Sequence, residues 1–319
     1  MQYRRPSTRS FVAGHRGLVG SAIVRRLQAE RNVEPVTRTR AELNLLDARA
    51  VDEFFRQEHL EEVYLAAAKV GGILANSTQP AEFARENLLI ASNVVHSAWK
   101  HGVRKLLFLG SSCIYPRMAA QPITEDSLLS GPLEETNRAY AVAKIAGIEL
   151  CRAYRAQYGL NAISVMPTNL YGPGDNFDMK SSHVLPALVR KFHEAKRSGA
   201  KVVDIWGTGT PRREFLHVDD LADACVYLMA NYDEPEIVNI GVGEDISIRE
   251  LAELIRRVVD VDVELRFDSS KPDGTPRKLL DVSRLTARGW RASIALEQGI
   301  ASTYQWYCEH AEEALTRSA

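Results

Sequence analysis

Ser10-Phe-Val-Ala13 runs directly into Gly14-His15-Arg16-Gly17-Leu18-Val19-Gly20, and Ser21–Leu27 follows with helical periodicity. A short buried strand, a glycine-rich turn and a helix start, in that order, commit the chain to a strand–helix crossover and so to a parallel sheet. Gly14 permits a tight turn, Gly17 lets a ligand approach the backbone, and Gly20 lets the helix lie close against the strand. The free backbone N–H groups at the helix start then face an anion, and in such turns that anion is a pyrophosphate. The spacing is G-x-x-G-x-x-G rather than G-x-G-x-x-G. A glycine-rich turn in an α/β protein that binds no nucleotide is therefore the alternative reading.

Val63–Ala68, Lys105–Leu109 and Ala162–Met166 are further short apolar runs separated by helical stretches. That alternation predicts an α/β fold, a Rossmann-type doubly wound parallel sheet with helices on both faces, accompanied by a smaller α/β substrate-binding domain. A chain of 319 residues is long enough for both. The expected division is discontinuous: residues 1–170 with 214–241 bind the dinucleotide, and residues 171–213 with 242–319 bind the substrate. Ligands of such sheets sit beyond the carboxyl ends of the strands. Those ends carry Gly14–Gly20, Ala66–Lys69, Ser111–Cys113 and Pro167–Leu170.

A second strand near Glu34–Thr37 leads into Arg38-Thr-Arg40, where an NAD-binding protein usually places an acid for the ribose hydroxyl. Arginines there, with Arg16 in the glycine loop, suit a 2′-phosphate and point to NADP(H), against the alternative of a solvated basic loop. Asp47 either caps a helix or reaches the adenine, and capping is the simpler expectation.

Tyr140-Ala-Val-Ala-Lys144 places a phenol and an ammonium four residues apart. On a helix the two share a face, and the cation is expected to favour phenolate. The hydroxyl of Ser111 is placed to hold a carbonyl oxygen beside that phenol. On an extended Ser111–Cys113 segment the thiol of Cys113 would face the same way. Cys113 and His183 are residue types that exchange protons near neutrality. Each also has a plainer reading, Cys113 as a small core residue and His183 as a helix cap or solvated side chain.

Composition narrows the partners. Lys plus Arg number 40 against 41 Asp plus Glu, so no basic surplus asks for nucleic acid, and no apolar run is long enough for a membrane span. Cys113, Cys151, Cys225 and Cys308 are dispersed with no CxxC pair, which suits a reduced, cytoplasmic protein, and no metal is expected.

The glycine loop, the Ser111 loop and Tyr140/Lys144 together resemble the extended short-chain dehydrogenase/reductase family. GHRGLVGSAI, YLAAAKVGGI, LGSSCIYP, YAVAKIAGIELC, MPTNLYGPGDNF, SSHVLPAL, WGTGTPRREFLHVDD, KPDGTPRKLLDVSRL and ASTYQW resemble the GDP-L-fucose synthases within it, from about Phe11 to Tyr307. Departures are confined to Asp178-Met-Lys180 and a short Ala230–Ile237 segment. The resemblance implies an NADPH-dependent, bifunctional enzyme acting on GDP-4-keto-6-deoxy-D-mannose, which inverts C3 and C5 and then reduces the C4 ketone. It makes Ser111, Tyr140 and Lys144 the reductase set and Cys113 and His183 the epimerase acid/base pair, with Cys113 favoured as base.

The implied cofactor contacts are Gly14, His15, Arg16, Gly17, Leu18, Val19, Gly20, Arg40, Leu109, Gly110, Ser111, Ser112, Lys144, Pro167, Thr168, Asn169, Leu170 and His183. Lys191, Trp206, Arg213 and Asp273 are implied to contact the nucleotide-sugar, and a homodimer is implied through the Ala139–Ala156 helix. The physical case is best for Arg213, whose fork fits a diphosphate. Trp206 either stacks on guanine or fills the core. Asp273 lies in a turn that it shapes while Arg277 meets phosphate. Rival readings are a 4-epimerase of the same fold that retains NAD, and a catalytically silent NADP-binding sensor.

Overall fold

The computed structural model describes residues 7–310 apart from 31, 180 and 272. Lys180 and the two ends of the expected domains, residues 1–6 and 311–319, lie outside the described residues. Strands, in chain order, are β1 (Thr8–Ala13), β2 (Val33–Val36), β3 (Glu62–Leu65), β4 (Lys105–Leu109), β5 (Ala162–Pro167), β6 (Asn169–Tyr171), β7 (Val202–Trp206), β8 (Arg212–Arg213), β9 (Phe215–His217), β10 (Val238–Ile240), β11 (Ile246–Ser247), β12 (Glu264–Asp268) and β13 (Arg277–Lys278). Helices are α1 (Leu18–Gln28), α2 (Ala48–Glu58), α3 (Ile73–Thr78), α4 (Pro80–Lys100), α5 (Arg138–Tyr158), α6 (Val184–Ser198), α7 (Val218–Asn231), α8 (Ile248–Val259), α9 (Ser283–Ala287) and α10 (Leu296–Glu309).

Six strands form one parallel sheet in the order β10-β5-β4-β3-β1-β2. Every residue of β4 and β5 is buried, because helices cover both faces and leave no solvated side for polar alternation. One apolar cluster joins the sheet to α2, α4 and α5 through Phe54, Phe55, Val94, Val95 and Ile148. A second lies on the opposite face with α1 and α7, through Ile23, Leu27, Leu221, Cys225 and Leu228. The chain turns from β2 back across β1 to β3, so the crevice between β1 and β3 is the switch point where a dinucleotide is expected.

A third cluster holds α6, α8 and α10 together through Leu188, Phe192, Leu251, Ile255 and Ile300. Small sheets flank it: β7 pairs with β12, and β8 lies between β11 and β13. Local signals agree with these elements. Asp47 caps α2 by accepting from the N–H groups of Arg49 and Ala50, which is the capping reading. Ser247 and Glu250 close α8 with a reciprocal capping box. β3 stops at Leu65, three residues before the expected Ala68. There the Ala66 N–H still reaches the Ala13 carbonyl at 3.2 Å, and the chain then leaves the sheet as the loop beneath the glycine turn.

Candidate active site

The glycine turn sits in that crevice. Gly14 has φ +86°, and a Cβ there would stand 2.8 Å from the backbone of Ala67. A Cβ on Gly20 would lie 2.1 Å from the Gly14 carbonyl oxygen, so α1 approaches the turn as closely as backbone allows. Gly17 is the N-cap of α1 and offers no side chain to its first N–H groups. This is the cradle a diphosphate needs, and the residues present fit a dinucleotide.

The arginines that follow β2 divide. Arg38 is held by the Glu58 carboxylate and lies 5.3 Å over the Phe54 ring, so its charge is already matched. Arg40 is 76% exposed and meets Glu86 only at 3.8 Å, while Arg16 is also exposed. Arg16 and Arg40 are therefore the two arginines left open to an anion, and Arg38 is not. His15 is half-buried, and burial together with Arg16 lowers its pKa.

β4 carries the chain into Gly110, whose N–H donates to the Val165 carbonyl at 2.8 Å. A tight 3-10 turn over Ser112–Ile114 follows, with Ser111 as its cap: the Cys113 N–H donates to Ser111 Oγ at 3.2 Å. The expected extended segment is therefore a turn, because the Cys113 N–H finds the Ser111 side chain and the Ile114 N–H the Ser111 carbonyl. Ser112 is buried beneath it, as is Leu109.

Tyr140 and Lys144 lie on the first turns of α5, with Lys144 Nζ 5.8 Å from the Tyr140 ring centroid. The Tyr140 hydroxyl lies beside the Ser111 side chain. Lys144 is buried and donates to the Leu109 carbonyl at 2.7 Å. The expected phenolate is not what this environment favours. Burial raises the Tyr140 pKa, nearby Cys113 adds to the rise, and burial brings Lys144 down to about 8. Desolvation is the largest influence on the phenol, and the hydrogen bond with Ser111 works against it.

Cys113 is half-buried rather than a core residue, and its Sγ accepts from Lys278 Nζ at 3.7 Å. His183 occupies the N-cap of α6, but its side chain makes no capping hydrogen bond. It is open toward the cleft yet crowded by protein, and that burial lowers its pKa, with Lys278 pushing the same way. One lysine therefore neighbours both side chains, which lie 70 positions apart in the sequence. Thr168 is buried at the end of β5, and the Asn169 amide donates to the Glu214 carbonyl at 2.8 Å. Pro167 ends β5 as its last buried residue, and Leu170 packs beside it against the α1/α7 core.

In the smaller domain Trp206 is 64% exposed, so it does not fill the core. Lys191 and Lys271 stand 5.9 and 5.8 Å from its ring centroid, and Lys191 also donates to the Asp204 carbonyl at 2.7 Å. Arg213 is half-buried, and desolvation lowers its pKa. Asp273 accepts from the Thr208 N–H at 2.7 Å and the Thr208 hydroxyl at 2.8 Å, which is the loop-shaping reading. Arg277 is paired with Asp245 instead of standing free for phosphate.

Two residues were not singled out by the sequence reading. Lys278 stands one place after Arg277 in KPDGTPRK, where an adjacent second cation drew no notice. Glu214 is fully buried in RREF and gathers three backbone N–H groups, from Val242 and Gly243 at 2.6 and 2.7 Å and from Leu280 at 3.1 Å. The apolar Phe215 and Leu216 that follow it are the only local hint of burial.

Residues 10–241 match the NAD dependent epimerase/dehydratase family. GDP-L-fucose synthase 1 of Arabidopsis thaliana is 60% identical to this chain, over 95% of it and 94% of the relative. GDP-L-fucose synthase of Escherichia coli K12 is 57% identical, over 95% and 97%. Among solved structures, a GDP-L-fucose synthetase from Naegleria fowleri bound to NADP superposes with a TM-score of 0.88 at 29% identity, covering 98% of this chain and 97% of that one. With a dinucleotide cradle at the β1/β3 crevice and relatives matched over nearly their whole lengths, the chain belongs to the NAD dependent epimerase/dehydratase family and, within it, to the GDP-L-fucose synthases.

Proposed function

We propose that this protein converts GDP-4-keto-6-deoxy-D-mannose to GDP-L-fucose by inverting C3 and C5 and then reducing the C4 ketone, with NADP(H) as cofactor. The observation that carries the reading is the meeting of Cys113 and His183 at Lys278, beside Ser111 and Tyr140. A C4 ketone acidifies the hydrogens on its two neighbouring carbons, so one oxygen-binding site serves both reactions. Ser111 and Tyr140 donate to that oxygen and hold it as charge develops. Cys113 removes a proton and His183 returns one from the opposite side. Tyr140, kept neutral by burial, later delivers the proton that completes reduction at the C4 oxygen. When bound, NADPH supplies the hydride for that step.

Gly14–Gly20 cradle the diphosphate of the cofactor, Arg16 and Arg40 meet its 2′-phosphate, and Lys144 fixes its ribose. Trp206 offers a face for guanine, while Lys191 and Arg213 meet the substrate diphosphate and Asp273 sets the loop beside them. The domain division proposed is residues 1–170 with 214–241 against 171–213 with 242–319; the pairing of β10 with β5 supports it. A homodimer through α4 and α5 is proposed, supported by the exposed Leu88 and Val142 on those helices. No helix among the described residues is long and apolar enough to cross a membrane, consistent with the proposed cytoplasmic setting.

The test is incubation with GDP-4-keto-6-deoxy-D-mannose and NADPH in D2O, followed by NMR of the product. GDP-L-fucose carrying deuterium at C3 and C5 is expected. Cys113→Ser is expected to block exchange, and Tyr140→Phe to stop reduction while leaving some exchange. Reduction of the ketone without exchange would remove the epimerase assignment.

A further inference from the structure

We propose that Glu86 competes with the cofactor's 2′-phosphate for Arg40 and thereby sets how strongly NADPH is preferred to NADH. The acid that a dinucleotide site commonly places after β2 is missing from Arg38-Thr-Arg40, and a carboxylate reaches the same corner from α4 instead. Its two oxygens face different cations. Glu86 Oε1 lies 3.3 Å from Lys69 Nζ, and Oε2 lies 3.8 Å from Arg40 Nη2. Among the described residues, Arg40 has no other carboxylate within ion-pairing distance. The other acid at this corner, Glu42, lies near Arg38 and Arg16 but is turned back on its own loop, where it accepts from the Thr39 N–H at 2.7 Å.

The three side chains are not equally free. Lys69 is clamped through its backbone: its N–H donates to Asn87 Oδ1 at 3.0 Å, and Asn87 Nδ2 donates to its carbonyl at 3.0 Å. Its ammonium lies 5.6 Å from the Phe83 ring centroid, and Phe83 packs edge-on against Tyr140. Phe83, Glu86 and Asn87 all belong to α4, so the lysine and the carboxylate are fixed to one helix. Glu86 is 18% exposed and Arg40 76%, which makes Arg40 the member that moves. An arriving phosphate draws Arg40 off an already long contact and offers it a charge-assisted hydrogen bond. Lys69 stays behind as the partner of Glu86, and its charge lessens the repulsion between that carboxylate and the phosphate. A cofactor without the phosphate makes no claim on the arginine, so the carboxylate discriminates between the two cofactors.

This competition rests on the reading of Arg40 as a 2′-phosphate contact, and the two are tested separately. Kd values for NADPH and NADH are measured on the full chain by fluorescence titration, and the NADH-to-NADPH Kd ratio is compared between variants. Arg40→Ala tests the reading, and an unchanged ratio there removes the contact itself. Glu86→Gln tests the competition. It is expected to tighten NADPH and raise the ratio by about threefold, the scale of one solvent-exposed ion pair. The gain is expected to fade at about 1 M salt. Lys69→Met is expected to lower the ratio by about twofold, and to leave it unmoved in the Glu86→Gln protein, because the lysine acts through the carboxylate.

Glu86→Ala replaces the glutamine variant if the latter does not fold, as judged by circular dichroism. A folded Glu86 variant with an unchanged or lower ratio, where Arg40→Ala does lower it, overturns the competition. A ratio raised only because NADH weakens makes Glu86 a ribose acceptor and overturns it as well. An equal loss from Lys69→Met with and without Glu86 overturns the part assigned to the lysine, which then meets the phosphate directly.

Discussion

Replacing Glu214 tests whether one buried carboxylate ties the two halves of the site together. Its Oε1 receives the N–H groups of Val242 and Gly243, just after β10, and its Oε2 receives that of Leu280, just after β13. Glu214→Ala leaves one buried donor, the Leu280 N–H, and two part-buried ones, those of Val242 and Gly243, without an acceptor. At about 1–3 kcal/mol for each orphaned group, the low end of the sum is about 3 kcal/mol, before any loss from the hole left behind. At about 2–4 °C per kcal/mol, that is a fall in Tm of roughly 6–12 °C.

Glu214→Gln keeps one acceptor oxygen for Val242 and Gly243 but turns an NH2 toward the Leu280 N–H. It is expected to cost about 1–3 kcal/mol, toward the low end because the buried charge is relieved. The Glu214 carbonyl also holds the Asn169 amide, so both variants are expected to raise the apparent Kd for NADPH as well. Differential scanning calorimetry of the three proteins, alongside NADPH fluorescence titration, gives the ordering. An alanine variant melting within 2 °C of the parent (~1 kcal/mol or less) would refute the reasoning, as would a glutamine variant less stable than alanine.

Gly20→Ala sets a methyl 2.1 Å from the Gly14 carbonyl oxygen, and is expected to weaken NADPH binding by more than about tenfold in a fluorescence titration. Arg40→Ala is expected to raise the Kd for NADPH by about tenfold with NADH little changed, the loss of one charge-assisted contact. Arg38→Ala, which loses a Glu58 pair and a stacked ring, is expected instead to lower stability by about 1 kcal/mol with a smaller change in that ratio, read by denaturant titration. Asp175 is buried with Oδ2 unpartnered, and burial raises it to about 7. The folded protein keeps that proton where the unfolded chain has lost it. Stability contributed by the group is therefore present below the ordinary aspartate value and is lost between about pH 4 and about pH 7, at up to about 1.4 kcal/mol per pH unit. Denaturant midpoints of Asp175→Asn are expected to lack this component.

Much of the frame was legible because backbone chemistry wrote it locally. The glycine loop, the apolar runs of β4 and β5 and the Asp47 cap each act within a few residues, and each stands where its sequence pattern predicts. Legibility failed where side chains distant in the chain compete. Arg38 reads as a phosphate ligand until Glu58, 20 residues on, is seen to take it. The Tyr140/Lys144 spacing is correct, yet spacing does not report how dry the pocket is, and desolvation decides the phenol's charge. Lys278 and Glu214 matter through partners 28 to 165 positions away, which no local pattern encodes.

The position of β10 has a consequence for how the chain is made. β5 is buried along its whole length and lies between β4 and β10, but β10 ends at Ile240, long after β5 has been synthesised. At about 5–20 residues per second, a nascent chain waits roughly 4–15 s with the β5 edge unpaired and its apolar face uncovered by α7. An open, hydrophobic strand edge is a template for the wrong partner. On the ribosome the protein therefore passes through a vulnerable interval set by the placement of one three-residue strand. A circular permutant opened ahead of α7 would make that helix and β10 before β5 and so remove the interval without altering the strand order of the finished sheet.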